Sequence, residues 1–401
     1  MDDGHNNPAA SRDGISFHSV TGGAVLFNAA NGRLYALNPV AGLTWLCVRD
    51  GLSPAESALA LANGFRIEHA VAAEWFRTSA QKFQDLGLLG SADHIEACGR
   101  EDTSVTAAPR SRSSQPGRGV AYRLFDQCFR INAPDDLQPA IDSLLGTLRT
   151  DPSRHPQDGG CGLQIDILAD GDAEGETWEI ALNGQVESRC ETASVVAEVE
   201  RLLLQTVVPV TPHLLTLHAA ALQRDGRTLL LAGPSGAGKT TLSLALAKAG
   251  WRFGSDEIVL LGHTLDLRPL PLPPCIKSDT FPVIETWFSE LRSTPAHDRY
   301  GRIIKFLPVK SSPFVSAPVH VVFPRYDRHG ARNIQRMDAF SGLERLLAQC
   351  VFVPTGFRHD DVAQLLRWHD RLHYFDLTYG DCETAVSLLA SIAVDELQQL
   401  P

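Results

Sequence analysis

Apolar residues change their period several times along the chain, and each change predicts an element. Val25 and Phe27 lie on one side of Asn31-Gly32, Leu34 and Leu37 on the other. Asn-Gly supplies the positive φ angles of a tight turn, so this stretch reads as a hairpin. Asn38-Pro39 follows, a helix cap with proline at the first helical position. Val40, Leu43 and Cys47 then recur at helical spacing, with Trp45 nearby. Ser53-Pro54-Ala55-Glu56 has the form of a capping box and opens a second helix. A third helix runs from about Ile67 to Leu86, with Val71, Trp75 and Phe83 as expected core positions and Gly87 as its stop. A hairpin followed by three helices has a winged-helix-like composition.

Periodicity stops over residues 91–119, where Pro, Ser and Arg dominate, so this stretch reads as a flexible linker. It resumes at Tyr122. Leu163, Ile165 and Ile167 alternate, as do Trp178, Ile180 and Leu182, the pattern of half-buried strands. Val195, Val199, Leu202 and Leu203 mark a helix expected to end at Pro209. From Leu215 onward the order is apolar run, glycine-rich turn, helix, apolar run, which points to a nucleotide-binding α/β core. The expected division is a module over 1–90, a linker over 91–119, an α+β region over 120–212 and a last domain over 213–401.

Composition narrows the function classes. The chain has 401 residues, 44% hydrophobic and 21% charged, with a formal net charge of −11. That balance argues against nucleic-acid binding through a broad basic surface. The start Met-Asp-Asp-Gly-His lacks the basic and apolar regions of a signal peptide. No run of about 18 apolar residues exists, so no membrane span is expected. The eight cysteines are scattered without a CxxC pair. They read as reduced thiols of a cytoplasmic protein.

The chemistry concentrates at one motif. Thr228–Ala232 is a short apolar strand, and Gly233-Pro234-Ser235-Gly236-Ala237-Gly238-Lys239-Thr240 matches GxxxxGK[ST] in full. Thr241–Ala249 continues as a helix closed by Gly250. This strand–loop–helix context is what a P-loop needs. Its glycines let backbone amides converge on phosphate oxygens, and the helix N-terminus adds partial positive charge. Lys239 is expected as a surface charge reaching the β- and γ-phosphates, Thr240 as a Mg²⁺ ligand, and Thr241 as a further nucleotide contact. The implied ligands are ATP and Mg²⁺. Asp256 and Glu257 lie just before the apolar run 258–261, placed to hold the metal or activate a nucleophile. His218 sits one strand upstream, in an apolar stretch.

These elements together resemble the HPr kinase/phosphorylase family and its HPr-kinase-related members. Leu217-His218-Ala219, the loop 233–240, Gly250-Trp251-Arg252 and Ser255-Asp256-Glu257 occur in the family's order at similar distances. The resemblance implies Asp256 as general base on a protein serine, with His218 polarising it. Glu257 stands where HPr kinase has a second Asp, so the base and metal roles are open between the two acids. Lys277, in Leu270–Lys277, and Arg325, in Val322–Arg325, look like weaker motifs of the related kinases. Residues 15–90 resemble PqqD-like peptide chaperones, through Leu34–Ala41, Trp45 and Leu86–Leu89. In that family the hairpin edge receives a leader peptide as an added strand. The expected fold is therefore α+β and multi-domain: an N-terminal winged-helix-like PqqD-type module, then an α/β P-loop HPr-kinase-like core. The expected function is an ATP-dependent kinase acting on a hydroxyl, a serine, of a peptide or small protein held by residues 15–90. No nucleic-acid or membrane partner is expected, and a homo-oligomer is compatible. The alternatives are a P-loop small-molecule kinase and a nucleotide-gated peptide-binding or assembly protein that transfers no phosphoryl group.

Overall fold

Turn and cap chemistry sets the first elements where the sequence places them. Strand β1 (Ile15–Val20) pairs antiparallel with β2 (Gly23–Asn28), and β2 with β3 (Arg33–Leu37) across the four-residue turn Ala29–Gly32, where Gly32 but not Asn31 takes a positive φ. The hairpin thus gains a third strand. Helix α1 (Pro39–Arg49) is capped by Asn38, whose side chain accepts from the Ala41 amide at 2.9 Å. Helix α2 (Pro54–Phe65) starts at a complete capping box: Ser53 Oγ accepts from Glu56 N, and Glu56 Oε2 accepts from Ser53 N. Helix α3 (His69–Asp85) follows. It turns Ala72, Phe76 and Phe83 inward, whereas Val71 and Trp75 are exposed. The expected core positions 71 and 75 are therefore corrected to their neighbours 72 and 76. Both sets have helical spacing, and only packing against Leu61 and the rest of its cluster selects the buried one.

The computed structural model describes residues 14–89, 119–151, 161–170, 177–312, 314, 319–354 and 356–395. The linker expected over 91–119 lies, apart from Gly119, outside the described residues. After it come β4 (Val120–Leu124), β5 (Gln127–Asn132), α4 (Gln138–Leu145), β6 (Leu163–Ala169), β7 (Thr177–Leu182), β8 (Gln185–Glu191) and α5 (Val195–Val210). Pro209 lies inside α5 rather than ending it. So near the C-terminus its missing N–H removes only one helical bond. Then follow β9 (Leu215–Arg224), β10 (Arg227–Ala232), α6 (Lys239–Lys248), β11 (Arg252–Ser255), β12 (Ile258–Leu261), β13 (Leu267–Pro269), β14 (Cys275–Lys277), α7 (Phe281–Trp287), β15 (Ala296–Arg299) and β16 (Arg302–Phe306). The last elements are β17 (Val319–Tyr326), β18 (Asn333–Arg336), α8 (Ala339–Leu347), β19 (Cys350–Phe352), α9 (His359–His369), β20 (Leu372–Tyr379) and α10 (Cys382–Asp395). This is a mixed α+β architecture with several sheets. No helix among the described residues is long and apolar enough to cross a membrane.

The chain divides into two compact units. The first is Met1–Val105 with Met337–Ala348 and Thr355–Leu372; the second is Thr106–Arg336 with Gln349–Pro354 and His373–Pro401. In the second unit a nine-stranded sheet has the path β13-β12-β9-β10-β17-β20-β18, with β11 and β19 also on β9. Leu242 and Leu246 of α6 and Leu389 of α10 cover this sheet, together with Trp251. Leu244, on another side of α6, packs on Ile276, Ile284 and Leu291. A five-stranded sheet, β4 to β8 in order, packs on α4 and α5, and its core extends to Cys275, Ile304 and Phe306. The small sheet β14-β16-β15 thereby shares a core with residues 120–212.

Cys128 on β5 and Cys161 ahead of β6 form a disulfide, with Cα atoms 4.6 Å apart. The parallel pairing of Phe129 with Leu163 brings Cys128 level with Gly162, next to Cys161. The expectation of reduced thiols is corrected for this pair. Cys47, Cys190, Cys275, Cys350 and Cys382 are free, and Cys98 lies outside the described residues.

The first unit departs from the expected division, which ran the last domain unbroken from 213 to 401. Helices α8 and α9 belong with the N-terminal strands. Val25 and Phe27 of β2 are buried against Leu343 of α8 and Val362 and Leu366 of α9, and His359 meets the Phe27 ring edge-on. The opposite face of β2 carries Ala24 and Leu26 onto Trp45 and Phe83. The strand is thus apolar on both faces and needs both covers. A fragment of residues 1–90 retains only one of them. Its thermal unfolding, followed by circular dichroism, is expected to be broad and well below that of the full chain, and Phe27→Ser should raise its solubility. A fragment that melts cooperatively at the full-chain temperature would show that α8 and α9 are dispensable for this unit.

Candidate active site

Strand β10 ends at Ala232 and α6 begins at Lys239, so the glycine-rich loop spans the gap between a buried strand and a helix N-terminus. Gly236 and Gly238 have φ of +87° and +89°. L-residues are strained there. A Cβ on Gly238 would also come within 2.2 Å of the Tyr379 hydroxyl. Lys239 is buried rather than on the surface. Its ammonium donates to the carbonyls of Gly233 at 2.6 Å and Pro234 at 3.1 Å. Ala237 N donates to Pro234 O, so Gly233, Pro234 and Ala237 form the back of the loop. Ser235, Gly236, Gly238, Lys239, Thr240 and Thr241 line the cavity in front of it, which has a volume of about 280 Å³.

The two acids reach the same cavity because a strand is interrupted. β11 pairs with Gln223–Ala221 of β9, shifts register between Phe253 and Ser255, and gives way to β12, which pairs with His218–Leu215. Asp256 and Glu257 are the jog between them. Such irregularities re-aim side chains next to sites. Ser255 Oγ accepts from the amides of Glu257 and Ile258, both at 3.3 Å, and so satisfies the backbone that leaves the ladder. Asp256 Oδ2 then accepts from Thr240 Oγ1 at 2.9 Å, joining the jog to the first turn of α6.

Burial dominates the electrostatics. The Asp256 carboxyl is pushed up to about 7, first by desolvation and then by the Glu257 charge, while the Thr240 hydrogen bond and Lys239 oppose the rise. Glu257 is also raised by burial, against the pull of Lys277 and Lys239. His218 lines the cavity and is lowered to about 4 by burial and by the charges of Lys239 and Lys277. Its imidazole is therefore neutral at pH 7. Its amide donates to Gln349 O. Among the described residues no hydrogen bond joins His218 to Asp256.

The structure brings together Lys239, Thr240, Thr241, His218, Asp256, Glu257 and Lys277. It does not bring Arg325 there: this residue sits on β17, exposed, with its guanidinium on Thr378 Oγ1 at 3.2 Å. Sequence reading missed Cys275, Asp279, Thr280 and Arg299 on the cavity wall, and Tyr379 behind the loop. Cys275 lies within the Leu270–Lys277 stretch, but the others belong to no local motif, and the pairing of β14 with β16 and of β16 with β15 is what draws Arg299 to the wall. No group of three or more His, Cys, Asp or Glu among the described residues is placed to hold a metal. Thr240, Asp256 and Glu257 do offer hard oxygen donors of the kind Mg²⁺ takes alongside phosphate and water. Compared with known proteins, the chain matches no family model and no curated protein.

Gly238→Ala introduces both strain and a clash with Tyr379, so a loss of about 1–3 kcal/mol is expected from the backbone alone. Tyr379→Phe removes the clashing oxygen. In denaturant titrations the double variant should therefore be more stable than the sum of the single losses predicts; strict additivity would mean that the two residues do not oppose each other.

Asp256 also makes stability depend on pH. Its folded pKa of about 7 lies above the ordinary 3.8, so the folded state holds a proton that the unfolded state releases. The associated stabilisation is full below the ordinary value and lost as pH rises through about 7. Asp256→Asn, which cannot ionise, should lose less melting temperature than the wild type between pH 5 and 8. Parallel curves would mean that Asp256 titrates normally.

Proposed function

We propose that the chain is an ATP-dependent kinase of the HPr-kinase-like type, with a P-loop α/β core, that phosphorylates a hydroxyl, a serine, on a peptide or small protein. The observation that carries this reading is the hydrogen bond from Thr240 to Asp256. It sets a buried carboxyl with a pKa near neutrality against a loop and helix N-terminus suited to phosphate. A general base works best when its pKa lies near the working pH. The loop amides, the α6 N-terminus and Lys239 bind and neutralise the nucleotide phosphates. Asp256 accepts the proton of the acceptor hydroxyl. Glu257 and the Thr240 hydroxyl are the residues that would hold Mg²⁺, which supplies charge neutralisation on the phosphates when bound. His218, neutral and on the same wall, acts as a hydrogen-bonding group rather than as a cation.

The N-terminal strands and helices supply the second half of the reading, a winged-helix-like module of PqqD type. β3 is an outer strand of its three-stranded sheet, an arrangement that admits a peptide as an added strand. Holding the substrate this way raises its effective concentration at the kinase. ATP as donor is consistent with a cytoplasmic protein.

The test is transfer from γ-labelled ATP to small precursor-like peptides encoded by neighbouring reading frames. Lys239→Ala should abolish ATP binding. Asp256→Asn should keep it and slow transfer by about 10²–10⁴-fold. The wild-type rate should rise with pH through about 7, because the base must be deprotonated, and the Asn variant should lose that limb. Label found on no peptide, or undiminished in Asp256→Asn, would rule out the assignment. A larger chemical defect in Glu257→Gln would exchange the roles of the two acids.

A further inference from the structure

The wall of the cavity formed by β14, β16 and β15 has a chemistry of its own. Lys277 pairs with Ile304 and Ile304 with His297, while Arg302 pairs with Arg299. Directly paired residues share a face of a sheet. Cys275, Ile304, Phe306 and His297 on that face are buried, most of them in the core shared with α5. Lys277 and Arg299 are its polar ends, and both line the cavity. They stand two strand spacings apart and two residues offset along the strand, about 12 Å between their backbones. Asp279, in the turn after β14, also lines it.

Arg299 is held from outside the sheet. Its guanidinium donates from Nη2 to Oε2 of Glu200, a buried carboxylate on α5, and lies 5.9 Å from the Phe306 ring centre. A buried ion pair is a poor way to gain stability, because both charges lose their hydration. What this one achieves is orientation. The guanidinium has five N–H donors in a fixed fork, and Glu200 is its one side-chain acceptor among the described residues.

We propose that Arg299, with Lys277, forms a second anion-binding subsite in the cavity, for a carboxylate or phosphate group carried by the phosphoryl acceptor, and that Glu200 is the positioning residue that aims Arg299. The word acceptor rests on the kinase reading above; the subsite itself does not. The loop, the α6 N-terminus and Lys239 already serve the nucleotide phosphates. Lys277 lies close enough for its charge to act on His218, Lys239 and Glu257. Arg299 stands two strands beyond it, where a group attached to the acceptor would reach. A hydroxyl compound with a neighbouring acid fits both ends: its hydroxyl at Asp256 and its anion at the fork.

The experiment uses the full chain saturated with Mg²⁺ and the β,γ-imido analogue of ATP, so that the loop is filled. Inorganic phosphate is then titrated calorimetrically. About one equivalent should bind per chain, and Arg299→Gln should weaken it about tenfold or more. Glu200→Gln should weaken it too, with Glu200→Asp recovering part of the loss. A purely structural Glu200 would lower the melting temperature and leave the affinity of the folded protein unchanged. Malonate in place of phosphate tells which oxyanion the subsite prefers, and tighter binding of either supports it. Wild-type protein that binds neither anion overturns the proposal, whether or not the Arg299 variant folds. So does a folded Arg299→Gln variant with wild-type affinity. If the analogue fails to bind while phosphate binding still depends on Arg299, the subsite stands and the kinase reading falls.

Discussion

One long strand sets the geometry of the site. β9 runs from Leu215 to Arg224, longer than any of the neighbours that pair with it. One of its edges is shared by β10 and β19, the other by β11 and β12. Both edges change partner near His218 and Ala219. Where β11 hands over to β12, the backbone must leave the ladder and return, and every amide there needs an acceptor. Ser255 provides one, and Glu257 O takes the Ala219 amide. The price of the interruption is two desolvated carboxylates, Asp256 buried and Glu257 half-buried. Its product is a pair of acids beside the first turn of α6, with His218 on the strand that both segments share.

The charges in the cavity are balanced in number but not in state. Lys239, Lys277 and Arg299 face Asp256, Glu257 and Asp279. Asp256 is the most deeply desolvated acid and sits beside a second one, so it resists ionisation more than an exposed Asp does. Two adjacent carboxyls whose surroundings differ can divide two tasks, one moving a proton and one keeping its charge. The same burial keeps His218 neutral. Lys239, also desolvated, is held by the loop's own carbonyls.

Residues 120–212 are more than a spacer before the loop. Their helix α5 buries its apolar face on the five-stranded sheet and against Ile304 and Phe306, and from the same helix Glu200 reaches Arg299. The cavity is thus lined by one set of strands and braced by another. In the first unit, likewise, β2 is apolar on both faces because α1 and α3 serve one and α8 and α9 the other.

What the sequence determined by itself was local. Asn31-Gly32, Asn38-Pro39 and the Ser53–Glu56 box specify their turn and helix starts through φ preferences and short-range hydrogen bonds, which need no distant partner. The loop from Gly233 to Thr240 was legible for the same reason, since glycine spacing and a flanking strand and helix are contiguous. His218, Asp256 and Glu257 were legible as candidates through their order, not their geometry. Tertiary structure alone decided the rest. It chose Ala72 and Phe76 over Val71 and Trp75, because two helix faces with the same period differ only in what packs on them. It assigned α8 and α9 to the N-terminal strands, paired Cys128 with Cys161, left Arg325 away from the cavity, and brought Tyr379 and Arg299 to its walls. Each of these depends on contacts between residues far apart in the chain, and no periodicity encodes which distant surfaces will exclude water together.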